Sequence, residues 1–130
     1  MPEASPPVGR ATPPAGATLT RRRPVRVVLV PTTRSGFDPV DPYVRRWWTC
    51  VLGPTAVTDL LRLVRAAERG ETIPRPVGLP RLVAAGLAHR RDDVVVIPLP
   101  VPPVARPHLD RIPHALRARH QRDLERSRRP

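Results

Sequence analysis

A chain of 130 residues has room for one domain at most, and 20 prolines with only four aromatic residues leave little material for a core. All 23 of its cationic Lys/Arg positions are arginine, so mechanisms that need a lysine, such as a Schiff base, are excluded. The net charge of +12 favours a polyanionic partner, either nucleic acid or an anionic membrane surface. Codon bias from a GC-rich genome, together with a need for solubility, would explain the same arginines.

The positive charge is concentrated at the two ends of the chain. Residues 1–36 carry six arginines against one acid, a net +5, and residues 102–130 carry eight against three, also +5. The middle, residues 37–101, carries nine arginines against seven acids and is nearly balanced at +2. We therefore expect a polyanion to be bound largely by the basic ends.

The first elements in chain order are an arm and a strand. Residues 1–24 are rich in Pro, Gly, Ala and Thr and contain the cluster Arg21, Arg22 and Arg23. They cannot bury enough surface to offset the entropy of ordering, so we predict a disordered basic arm. The apolar run PVRVVLVP at 24–31 predicts one short strand, and its prolines favour the edge of a sheet.

A helix that holds three of the four aromatic residues follows a turn-rich loop. Asp41 is a suitable N-cap, and Pro42 fits the first helical position, where no N–H bond is lost. At 100° per residue the apolar side chains of residues 43–52 fill one arc of about 200°. This arc predicts that the aromatic rings belong to the core. Trp48 lies near the edge of the arc and is the one candidate for partial exposure and stacking on a base.

The next helix has the clearest periodicity in the chain. Apolar residues of 54–69 recur at i, i+3, i+4 and i+7, which predicts a helix that ends at Gly70. Asp59 falls among the arginines of the opposite, polar face. The three prolines of residues 71–80 exclude another helix there.

A short helix and a hairpin complete the central part. Residues 80–85 predict a helix of about two turns that stops at Gly86. Residues 87–91 and 94–97 then predict two strands joined by a tight Asp-Asp turn.

The C-terminal part is rich in proline and arginine. A polyproline-like stretch predicts an extended linker, and the tail after it is helix-competent with a thin apolar stripe at Leu116 and Leu124. We expect this tail to be solvated or to be ordered by a partner. The chain thus divides into a disordered basic arm (1–24), a core (25–97), a Pro-rich linker (98–107) and a basic helical tail (108–130).

No arrangement typical of catalysis or metal binding is found in the sequence. Four histidines and a single cysteine, Cys50, form no His-x-x-x-His or Cys-x-x-Cys pair. There is no glycine-rich phosphate loop. We therefore predict a protein that is not an enzyme and that uses no metal or cofactor. The absence of an apolar leader or membrane-length apolar run makes a cytoplasmic location the expectation.

The segment RLVAAGLAHRRDDVVVI, residues 81–97, resembles the end of a winged helix-turn-helix domain. In such domains a helix closing in Leu-x-x-x-Gly-Leu leads into a strand, a charged turn and a return strand; the matching residues here are Leu82, Gly86 and Leu87. The stretch 43–70 is similar to small, basic, uncharacterised actinobacterial proteins of winged-helix type, whose chains also run into a basic Pro-rich tail. The resemblance implies an α+β domain made of helices and a short β-hairpin.

The resemblance also implies where nucleic acid would be contacted. It places Arg90 and Arg91 on the wing, against the phosphate backbone, and Arg81 on the recognition-like helix near the duplex. On the alternative interpretation these are solvated charges on an edge hairpin. A helix-turn-helix needs a helix between Gly70 and Leu79, and the prolines leave no room for one, so we expect phosphate-directed or partner-assisted binding rather than sequence-specific reading of the major groove. The basic ends would supply most of the affinity through Arg21, Arg22, Arg23, Arg117, Arg119 and Arg122.

The sequence therefore predicts a small α+β, winged-helix-like domain that binds nucleic acid, with the backbone of double-stranded DNA as the expected partner. A transcriptional regulator or an accessory factor would have these properties. The alternative is a protein-interaction adaptor, whose core docks a protein partner and whose basic ends are incidental. The choice between DNA and RNA, the sequence specificity and the oligomeric state stay open.

Overall fold

A computed structural model describes residues 23–128; the rest of the predicted arm, with Arg21 and Arg22, lies outside the described residues. Within that span the chain is α+β, as predicted, with five α-helices and one four-stranded mixed sheet. A π-helical segment, Val44–Trp48, runs into the first α-helix, and a 3-10 turn, His114–Leu116, precedes the last. The strands are β1 (Pro24–Pro31), β2 (Thr72–Pro74), β3 (His89–Arg91) and β4 (Val94–Leu99), and the helices are α1 (Thr49–Leu52), α2 (Pro54–Arg69), α3 (Leu79–Ala84), α4 (Arg106–Leu109) and α5 (Arg117–Arg128).

The first strand lies inside the sheet, whose order is β2-β1-β4-β3. β1 pairs in parallel with β4 from Arg26 opposite Val94 to Pro31 opposite Leu99, and β2 pairs antiparallel with its first three residues. The prediction of an edge strand is therefore wrong. Its prolines stand only at the two ends of the strand, so the residues between them keep the N–H groups that pairing requires.

The other strands differ from prediction in length or were not expected. The β3–β4 hairpin is present, and Asp92 in its turn adopts a positive φ of 51°, a conformation that Asp tolerates better than most residues. β3 begins only at His89, whereas β4 continues to Leu99. β2 was not predicted. The prolines of residues 71–80 exclude a helix, but they still allow a short extended strand.

The helix boundaries follow the signals in the sequence. The Asp41 Oδ1 atom accepts the N–H of Tyr43 at 2.8 Å, so Asp41 is the N-cap that was predicted. α2 spans Pro54–Arg69, and Gly70 ends it in the left-handed conformation with φ 66°. Gly86 likewise follows α3 with φ 78°, a conformation that costs glycine little.

The core lies between the helices and one face of the sheet. β1 and β4 bury alternate residues: Val25 and Val27 are covered, and so are Val95 and Ile97. The helices cover this face, and the opposite face of the sheet stays open, with Val28 exposed. One sheet face therefore carries the helical layer while the other faces solvent.

The Pro-rich stretch and the tail also pack on this core. Val101 forms a bridge with Phe37, and Val101, Val104 and Ile112 are all buried. The stretch is extended, as its prolines predict, but it lies against the helices. The expectation that the tail is solvated or ordered by a partner is wrong for α5, because Leu124 and the buried His120 pack on the same chain.

The side chain of Asp59 on α2 forms a hydrogen bond with the backbone at the start of α3. The sequence places it on the polar face of α2, yet its side chain is buried, and its Oδ2 atom accepts the backbone N–H of Gly78 at 2.8 Å. Its Oδ1 atom lies 3.6 Å from Nη1 of Arg62. A Cβ at Gly78 would approach the Cα of Ala56 to 2.8 Å, so α3 begins in close contact with α2.

We expect Asp59→Ala to lower the free energy of unfolding by about 1–3 kcal/mol, because it leaves the buried Gly78 N–H without an acceptor. Asp59→Asn keeps one oxygen at the same place and should retain most of the stability. Urea denaturation of the full chain measures both. An alanine variant within about 0.5 kcal/mol of the parent chain would show that this bond does not hold α3.

Candidate nucleic-acid interface

The aromatic rings form part of the core and are not available to nucleobases. Tyr43, Trp47 and Trp48 are all buried, and the rings of Phe37 and Tyr43 stack at 4.0 Å. Trp48, the candidate for partial exposure, is only 1% exposed, and its Nε1 donates to the carbonyl of Pro102 at 2.8 Å. Base stacking by Trp48 is therefore excluded in this conformation, and any contact with nucleic acid falls to charged side chains.

The polar atoms of the aromatic rings hold α5 in place. The Tyr43 hydroxyl lies 2.7 Å from Nε2 of His120 and accepts the backbone N–H of Val104 at 3.0 Å. Trp47 Nε1 donates to Oδ2 of Asp123 at 3.0 Å. These bonds join the first helical run to a helix more than seventy residues later, so the face that α5 presents to solvent is set by the core.

The buried His120 makes this contact sensitive to pH. Burial lowers the pKa of His120 below its ordinary value of 6.5, and the negative charge of Asp123 opposes that change in part. With a neutral ring protonated on Nδ1, the Tyr43 hydroxyl can donate its proton to Nε2. The folded state therefore favours the neutral ring.

When α5 packs on the core, a row of arginines on the helix stays exposed next to the packed face. Arg119, Arg122 and Arg126 fall within an arc of about 60° at 100° per residue, and all three are exposed. The neighbouring Arg46 lies 3.5 Å from Asp123 on the docked face. We call Arg119, Arg122 and Arg126 the α5 stripe. The sequence prediction named the first two; the i, i+3, i+7 spacing that includes Arg126 was the signal for the third.

Arg117, the third predicted residue of the tail, is engaged within the chain. Its Nη2 lies 3.5 Å from Oδ1 of Asp110, and its Nε donates to the carbonyl of Ile112 at 3.4 Å. It holds the turn before α5 and is not part of the α5 stripe. Arg23, from the predicted arm, is exposed, and its carbonyl accepts the N–H of Arg75 at 3.0 Å.

The two wing arginines point to opposite faces of the hairpin. Arg90 is paired with the buried Val95, and Arg91 with the half-buried Val94. Successive residues of a strand alternate between faces, so Arg90 points to the helical side and Arg91 to the open side. A DNA backbone that lies against one face of the hairpin would therefore contact only one of these two arginines.

On the open side Arg91 shares a row with Arg26. Both are registered with Val94, one from each neighbouring strand. The turn beside them carries Asp92 and Asp93, whose two negative charges offset the two arginines of the wing. The hairpin therefore has little net charge, whereas α5 carries five arginines against two acids.

Arg81 is engaged within the chain at the end of α1. Its Nη1 donates to the carbonyl of Leu52 at 3.0 Å, so the guanidinium group caps the end of α1. Nη1 of Arg111 donates to the preceding carbonyl, that of Val51, at 3.4 Å. The structure thus brings Arg81 together with Arg111, a residue that the sequence prediction did not name.

Among residues 23–128 no group of three or more His, Cys, Asp or Glu side chains is placed to hold a metal ion. In the same part of the chain, none of the helices has the length and apolar character needed to cross a membrane. No protein-family model, curated protein or solved structure matches the chain. The function is therefore inferred from the placement and charge of its own side chains.

We expect the stability of the full chain to stay level from about pH 8 down to the ordinary His120 pKa of 6.5 and to fall below it, towards about pH 5. Below the ordinary pKa of 6.5 the unfolded chain binds a proton at His120 that the folded chain resists. The stabilisation is complete above that value and is lost as the pH falls through the lowered pKa of the folded state. Urea midpoints across this range measure the effect.

The matched pair His120→Gln and His114→Gln isolates this histidine, since His114 is exposed. His120→Gln should flatten the pH dependence over this range, and His114→Gln should leave it unchanged. Equal pH dependence in both variants would contradict the role given to His120.

Proposed function

We propose that this protein is a winged-helix-type module that binds nucleic acid through its phosphates, with duplex DNA as the partner. The α5 stripe carries the proposal, because the Tyr43–His120 and Trp47–Asp123 contacts hold it on the core. Because the helix that carries these arginines is already ordered before binding, it loses less backbone conformational freedom than a free tail would. Each phosphate that it neutralises releases counterions, which is a favourable term for any basic surface on DNA.

The order of the elements supports a winged-helix type. α2 and α3 are followed directly by the β3–β4 hairpin, and β2 occupies the place where a helix-turn-helix would have another helix. The exposed side chains of α3 are Pro80, Arg81, Val83 and Ala84. Only Arg81 among them is polar, and it caps α1. α3 therefore presents few groups that could read base edges, which favours phosphate contacts.

A second function, that of a protein-interaction adaptor, is favoured by the open face of the sheet. Val28 and Val30 are 38% and 39% exposed there, and Arg26 with Arg91 border the valines at one end. A partner with an apolar surface edged by carboxylates would complement this face. The α5 stripe lies on the helical side, so the two functions use different surfaces.

The stripe is tested by comparing two double variants of equal charge. Arg122→Gln/Arg126→Gln removes two arginines of the α5 stripe, and Arg65→Gln/Arg69→Gln removes two exposed arginines with the same i, i+4 spacing on α2. Fluorescence anisotropy of duplex DNA, single-stranded DNA and RNA, from about 50 to about 200 mM salt, gives the slope of log K against log salt. The first variant should reduce the slope for duplex DNA by about 2.

The α2 double variant should keep the parent slope within error. If both variants lose the same slope, binding follows total charge and the proposed surface is wrong. If neither variant changes the affinity, the adaptor function gains and the open sheet face becomes the surface to examine.

The hairpin is tested by Arg90→Gln and Arg91→Gln in the same assay. Because their side chains lie on opposite faces, only one of these substitutions should lower the salt slope, by about 1. The one that does so identifies the face of the hairpin that meets the phosphates. Equal slopes for both variants and the parent chain would show that the wing makes no phosphate contact.

A further inference from the structure

A cavity of about 380 Å³ lies where the end of α1 meets the end of α3 and the α4 segment. Its walls combine small apolar side chains with three nitrogen-rich ones, and no acid contributes to them. The lining residues are Val51, Leu52, Arg81, Ala84, Ala85, His108 and Arg111.

The two arginines of this cavity are held in place. Arg81 and Arg111 each donate one Nη1 hydrogen bond to neighbouring carbonyls at the end of α1, at 3.0 and 3.4 Å. A guanidinium group has five N–H donors, so most of their donors remain for another acceptor. His108 is half-buried beside them, with its ring centroid 5.9 Å from that of Trp48.

The positive charge at this cavity has no acidic counterpart. Elsewhere in the described chain Arg46, Arg62 and Arg117 each have an aspartate within 4 Å, but in residues 23–128 no ion pair involves Arg81 or Arg111. The carbonyl end of a helix offers about half a negative charge, which offsets only part of two guanidinium groups. An anion bound between the arginines would supply the rest through charge-assisted hydrogen bonds.

We propose that this cavity binds a phosphate monoester. Arg81 and Arg111 grip the phosphate oxygens from two elements, and the ring of His108 supplies a further hydrogen-bonding nitrogen. The apolar wall formed by Leu52, Ala84 and their neighbours contacts the organic part of the ligand. Such a group can come from a free mononucleotide or from the 5′-terminal phosphate of a nucleic acid. The site is separate from the α5 stripe and does not depend on it.

Calorimetric titration of the full chain with inorganic phosphate and with adenosine 5′-monophosphate tests the site. Anisotropy with one oligonucleotide, carrying either a 5′-phosphate or a 5′-hydroxyl, tests the chain-end source. The variants are Arg81→Gln and Arg111→Gln, with Arg65→Gln as a control of equal charge on α2. Each cavity variant should weaken phosphate binding at least about tenfold, and the control should stay within about twofold.

The variants Arg81→Lys and Arg111→Lys control for misfolding of the glutamine variants, because lysine keeps the charge but not the forked geometry of the donors. They should bind with intermediate affinity and unfold at the parent temperature. If the mononucleotide binds and the 5′-phosphate does not change the affinity for the oligonucleotide, the ligand is a free nucleotide. If only the 5′-phosphate raises the affinity, the ligand is the end of a nucleic-acid chain. The proposal is overturned if neither phosphate, mononucleotide nor 5′-phosphate is bound, or if Arg111→Gln binds like Arg65→Gln.

The same titration with Arg122→Gln/Arg126→Gln separates the two proposals. That variant should bind inorganic phosphate like the parent chain, because it leaves the cavity untouched. A cavity that fails its test therefore leaves the α5 stripe unaffected, and a stripe that fails its test leaves the cavity unaffected.

Discussion

The Tyr43 hydroxyl joins three parts of the chain that are far apart in sequence. It belongs to the first helical run, accepts the N–H of Val104 from the Pro-rich stretch, and meets Nε2 of His120 on the last helix. The same ring stacks on Phe37, so one side chain supplies both apolar area and directed bonds. The placement of the tail, and with it the arginines that the tail exposes, depends on this one residue and on Trp47 beside it.

The small number of aromatic residues explains why the core and the surface of this protein use different residue types. The chain has four aromatic residues in 130, and all four are buried. Every Phe, Tyr and Trp ring therefore contributes to the stability of the core. Arginine is the residue type most often exposed in residues 23–127, and its planar, forked donors suit it to phosphates. If such a surface binds nucleic acid, as we propose, its affinity should vary strongly with ionic strength.

Local patterns predicted the local structure well, and contacts between distant segments account for what they missed. The bounds of α2 followed from periodicity between a proline and a glycine, and the Asp41 cap followed from its side chain. The central position of β1 depends on β4, and the burial of Asp59 depends on the N–H of Gly78, nineteen residues away. The α5 stripe could be read from spacing, but its fixed position could not, because that comes from polar atoms on Tyr43 and Trp47.

The parallel pairing of β1 with β4 has a consequence for how the chain folds. Arg26 lies opposite Val94, so α1, α2, α3 and the two outer strands, β2 and β3, all lie within the connection that joins the two central strands. The middle of the sheet therefore cannot close on a ribosome until almost the whole core has emerged. Contacts between residues so far apart in sequence slow the search for the native state, and until β4 arrives the valines of β1 need protection from other chains.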